Sequence, residues 1–175
     1  MYDGWTVIRW ETPVADIQRL YLVALSDSHR ELTVLLEAAR APGRPRWRLR
    51  FRNYPAYRNI DEAYRTELWA WLDASGQRCG STFIVQEPKP FASWGTDDYL
   101  QAMKPGMRHF VVSTEDDVIE VLSAAEPEWE QAEPAQAEEP MPGKATHLYV
   151  GEDEAEIERL TQELTRKVPR SSGAG

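Results

Sequence analysis

Apolar and polar residues alternate with a period of two along much of the first 125 positions, which predicts strands with one buried face. The most regular stretch is RWRLRFR (46–52), where Arg46, Arg48, Arg50 and Arg52 interleave with Trp47, Leu49 and Phe51. Shorter runs of the same kind lie at 6–10 and 82–87 (TFIVQE). Positions 20–26 and 31–37 flank the polar loop DSHR and read as a hairpin, as do 108–113 and 118–123 around TEDD. APGRP (41–45) is a turn by its Gly and Pro. Strands that follow one another through short polar loops pair antiparallel.

The period shifts in NIDEAYRTELWAWLDASG (59–76), which predicts an amphipathic helix over 60–75. Asn59 stands at the capping position with Glu62 three residues on, and Asp61 and Glu62 suit the positive end of the helix dipole. Tyr64, Leu68, Trp71 and Leu72 form the apolar stripe, and Gly76 ends it. A second short helix is expected over 97–103, ahead of Pro105-Gly106. The expected fold of 1–125 is therefore α+β, a mainly antiparallel sheet with one packed amphipathic helix.

Composition changes the picture beyond 125. EPEWEQAEPAQAEEPMPGK (126–144) is Glu-, Pro- and Ala-rich with one aromatic residue, so 126–145 is expected as an acidic disordered linker. After it, 146–150 suits a short strand, and 151–167 a helix whose narrow stripe is Ile157, Leu160 and Leu164; SSGAG is expected to be mobile. Dividing the net charge of −9 locates it. Residues 1–125 carry 15 Lys/Arg and 17 Asp/Glu, a net of −2, whereas 126–143 carry six glutamates and no base. The globular part is almost neutral, which weighs against a dedicated nucleic-acid binder. No apolar run reaches the roughly 20 residues of a membrane span, and MYDGWTVIRW lacks the apolar core of a signal peptide, so the expected location is the cytoplasm. Cys79 is the only cysteine, which leaves no internal disulfide and no Cys-rich zinc site.

Candidate chemistry is sparse. The arginine row has three readings: a stripe for phosphates or a partner's carboxylates, cross-strand pairing with Glu31, Glu37, Glu87 or Glu120, or a surface over which the acidic linker folds back. In the long connection 87–107, Phe91, Trp94 and Tyr99 are either exposed anchors for a partner or a satellite core. Asp73 with Glu87-Pro88-Lys89 is similar in spacing to the D…ExK of metal-dependent nucleases, although Asp73 falls on a helix and Pro88 interrupts the strand. His29, His109 and His147 have no metal-ligand spacing, and TEDDVIE (114–120) lacks the glycine of a calcium loop.

RHFVVSTEDDVIEVLS (108–123) resembles the closing hairpin of small bacterial α+β proteins, among them immunity proteins that neutralise toxins. The resemblance covers well under half the chain, and no functional residue carries over from it. Together these readings lead to the expectation of a non-catalytic module that binds another protein, without cofactor or metal. Its contacts would come from Arg46, Arg48, Arg50, Arg52, Phe91, Trp94 and Tyr99, and from Ile157, Leu160 and Leu164 seated in a partner or in a second copy. The alternative is a metal-dependent nuclease, or a nucleic-acid-binding protein, using Asp73, Glu87, Lys89 and the arginine row.

Overall fold

A computed structural model describes residues 4–28, 30–88, 91–95 and 106–142, and the backbone of 147–149. The described residues form two five-stranded sheets and one α-helix, an α+β arrangement in which all but one of their strand pairings are antiparallel. The first sheet runs β1 (Thr6–Arg9), β6 (Thr82–Gln86), β7 (Arg108–Ser113), β8 (Asp117–Ser123), β5 (Ala56–Asp61). The second runs β10 (His147–Tyr149), β2 (Tyr21–Asp27), β3 (Glu31–Glu37), β4 (Arg46–Arg52), β9 (Glu128–Ala132), with β10 parallel to β2.

The two sheets pack face to face because each contributes one apolar row. Leu22, Leu25, Leu32, Val34, Leu36, Leu49 and Phe51 of the second sheet meet Phe110, Val112, Ile119 and Val121 of the first. Phe51 lies 5.8 Å from Phe110 between ring centroids, and Trp10 lies 4.9 Å from the same ring. The opposite face of the first sheet is also apolar, since Phe83, Val85, Val111 and Val118 lie under Leu68 and Leu72 of α1 (Thr66–Ser75). Both faces of β7 and β8 are thus covered, and every side chain of β8 is buried.

Four expectations need correction. The predicted helix over 60–75 begins only at Thr66, because Ala56–Asp61 is instead strand β5, paired along its length with β8. Asn59 does not cap; it is a strand residue whose side-chain amide donates to Asp117 at 2.8 Å. Asp61 accepts from the Ala63 amide in a single 3₁₀ turn, Glu62–Tyr64, and Tyr64 leaves the apolar stripe at 81% exposure. Finally, residues 128–132 of the expected disordered linker are strand β9, in register with β4. The arginines of β4 provide the charge complement that its acidic composition needs. The helices expected over 97–103 and 151–167 lie outside the described residues.

Candidate functional site

Alternation along β4 puts Trp47, Leu49 and Phe51 inward and the four arginines on the outer face of the second sheet. Register then dictates their partners. Arg52, Arg50, Arg48 and Arg46 stand opposite Glu31, Thr33, Leu35 and Glu37 of β3, while Arg50 and Arg48 stand opposite Glu128 and Glu130 of β9. The row is therefore paired within the chain, through both β3 and the acidic segment. Glu120 on β8 and Glu87 just past β6, also considered as its partners, pair instead with Arg58, Arg65 and His109.

The two ends of the row differ. At one end the Glu37 carboxylate is fully buried and accepts from Arg44 Nε at 2.8 Å and Arg46 Nε at 2.7 Å. Arg46 also donates to Glu139 at 2.6 Å, and Arg44 donates to the carbonyls of Glu139 and Pro140, so residues 139–140 close over this end. Burial pushes the Arg46 pKa down, but its bonds to Glu139 and Glu37 outweigh this and hold it above the ordinary value. At the other end Arg50 meets Glu130 at 2.7 Å, Arg48 meets it at 3.5 Å, and Arg52 meets Glu128 at 3.1 Å and Glu31 at 3.3 Å. Here the side chains of Arg48, Arg50 and Arg52 remain 34%, 32% and 57% exposed.

A second constellation is buried between the start of α1 and residues 91–94. Glu120 Oε2 accepts from Arg58 at 2.6 and 3.1 Å and from His109 Nε2 at 2.8 Å, and its Oε1 lies 2.5 Å from Arg65. Burial pushes the Glu120 carboxyl up, yet His109 and Arg58 more than offset this and bring its pKa down to about 2. An ionised carboxylate can only accept, so His109 Nε2 carries the proton of that bond. Glu87 accepts from the Ser93 hydroxyl at 2.7 Å and its amide at 2.9 Å, and lies 3.5 Å from His109 Nδ1. Its own pKa is pushed up by desolvation and, more strongly, down by His109 and Ser93. Both imidazole nitrogens face carboxylates, and all three groups are almost entirely buried. That arrangement balances charge inside the fold.

Phe91 and Trp94 roof this cluster and are not exposed anchors. Phe91 is 6% exposed against Leu122, with its backbone in the left-handed region at φ 63°. Trp94 is half-buried, stacked under Arg58 at 4.3 Å and edge-on to His109 at 5.3 Å. Beside it a cleft of about 630 Å³ opens between Ile8, Ile84, Gln86, Phe91, Met107 and Arg108. Of the nuclease-like residues, Asp73 and Glu87 sit in unlike surroundings. Asp73 is exposed on α1, whereas the Glu87 side chain is buried against Ser93 and His109. Among the described residues no three His, Cys, Asp or Glu side chains gather to hold a metal, since Glu87 and Glu120 lie on opposite sides of the imidazole. Lys89, Tyr99, His29, Ile157, Leu160 and Leu164 lie outside the described residues. Cys79 is buried, which raises its thiol pKa. Among the described residues no helix is long and apolar enough to cross a membrane.

The Glu120 cluster escapes a reading by periodicity alone, though a signal was present. VIEVL is apolar on both sides of Glu120, and His109 shares the phase of Val111, so both polar groups had to be buried and paired. No protein-family model matches the chain, and no curated protein or solved structure matches it either.

Proposed function

We propose that the chain is a non-catalytic protein-binding module, of the immunity or adaptor kind, that recognises its partner with the arginine-bearing face of the second sheet. The observation that supports this reading is the asymmetry of the row. Arg44 and Arg46 are locked around a buried carboxylate, while Arg48, Arg50 and Arg52 are paired only with glutamates that are themselves at least a third exposed. Exposed pairs of this kind contribute at most about 1 kcal/mol each. A partner's carboxylates can therefore replace them, and the guanidinium fork favours planar, bidentate contact. The balance on this face also weighs against nucleic acid, since Arg44, Arg46, Arg48, Arg50 and Arg52 are matched by Glu31, Glu37, Glu128, Glu130 and Glu139.

The test is capture from a mixture of native neighbour proteins by wild type and by Arg48→Glu/Arg50→Glu, each first shown to be folded. The expected outcome is one protein retained by wild type and lost by the variant. Equal retention by both, or retention of nucleic acid alone, refutes the reading.

A further inference from the structure

The second sheet ends in a strand that the core does little to hold. Of the five residues of β9, only Trp129 packs into the space between the sheets, its ring 5.7 Å from that of Trp10. Glu128, Glu130 and Gln131 are exposed. Its remaining hold on β4 is the backbone ladder and the exposed ion pairs to Arg48, Arg50 and Arg52. On the other side of β4, by contrast, β3 buries Leu32, Val34 and Leu36 completely. Edge elements with few buried apolar contacts open locally at far lower cost than the whole domain. Once β9 leaves, β4 presents an unpaired backbone edge with arginines on one face and the Trp129 socket on the other.

We propose that β9 is a cis occupant of a peptide-receiving edge, and that the partner which replaces it is an extended acidic segment of another protein. This rests on the protein-binding reading and names the partner's chemistry. That chemistry follows from the present occupant. In a strand, residues i and i+2 share a face, so Glu128 and Glu130 reach the arginines while Trp129 between them enters the core. A replacing segment needs two carboxylates flanking one aromatic residue, and it adds antiparallel to β4 by main-chain bonding. Glu139 and Pro140, held by Arg44 and Arg46, tether β9 on its far side. The displaced strand therefore stays close and competes at high effective concentration, which keeps the edge closed until a better segment arrives.

The probe is a fluorescently labelled peptide spanning residues 126–134, titrated into the full chain by anisotropy while hydrogen exchange of β9 is followed. Wild type is expected to bind it weakly. Glu128→Gln/Glu130→Gln in the full chain loosens the cis strand without touching the core, and should bind about ten-fold more tightly as the open fraction rises. Trp129→Ala should act in the same direction, and the peptide carrying glutamine at both positions should lose binding. The β9 amides should exchange faster than those of β3, and faster still with peptide present. Equal affinity for wild type and variants, or β9 exchange as slow as that of β3, overturns the inference. Peptide binding with β9 exchange unchanged also overturns it, but leaves the arginine face as a recognition surface. Unchanged partner capture by Arg48→Glu/Arg50→Glu is the distinct result that removes the underlying reading.

Discussion

Glu120 is the residue on which the interior depends most. It is fully buried and answers Arg58, Arg65 and His109 together, so Glu120→Ala strands two guanidinium groups without a counter-charge. Breaking a buried pair on one side costs about 3–5 kcal/mol, which denaturant titration should register. The same carboxylate sets an acid limit. Its folded pKa, near 2, lies below the ordinary 4.5, so its ionised form stabilises the fold fully above pH 4.5 and progressively less as pH falls toward 2. The shift corresponds to about 3 kcal/mol, and Glu87 contributes in the same direction. Wild type should lose stability through this window, and Glu120→Gln should show a flatter profile there. Trp94→Ala belongs with these changes. It removes the ring between Arg58 and His109, so it should lower the melting temperature and leave partner affinity unaltered. Gly80 is a backbone counterpart, at φ +71°, where an added Cβ would collide with the Ala15 carbonyl oxygen. Gly80→Ala should therefore cost at least about 2 kcal/mol, read by the same titration.

Among the elements, those with a strict two-residue period were legible in the sequence. β2, β3, β4, β6, β7 and β8 fall where alternation places them, because one or both of their faces are buried. β5 was not legible. AYRNID carries Arg58, Asn59 and Asp61, all satisfied by β8 or the turn after it, and such pairing leaves no apolar signature. The overlapping run NIDEAY (59–64), with Asn59 and Glu62 at capping-box spacing, imitates a helix start so well that α1 is anticipated six residues early. Exposed Tyr64 and buried Leu68 separate the two accounts of that boundary. Leu68→Ala should cost about 2–5 kcal/mol in thermal unfolding, while Tyr64→Ala should stay within about 0.5 kcal/mol. β9 was hidden for a different reason. Its sequence is acidic with Trp129 as its one large apolar residue, and it becomes a strand only against the arginines of β4. The acidic segment lying over the row was among the readings of that row, whereas its hydrogen-bonded register with β4 was not.

At the scale of the molecule, one layer of charge lies outside a sheet whose inner face carries the apolar row of the core, and a second lies sealed beneath α1 and Trp94. The sealed charge maintains the fold. On the proposed reading the outer charge exchanges with a partner at its Arg48–Arg52 end, where the ion pairs are exposed. The most direct test is the dissociation constant of the captured partner for wild type and for Arg48→Glu/Arg50→Glu, by titration calorimetry, with both proteins shown to melt cooperatively. Like charges facing a partner's carboxylates cost several kcal/mol, so the account predicts affinity weaker by a factor of about one hundred or more. An unchanged constant, with the fold intact, would contradict it.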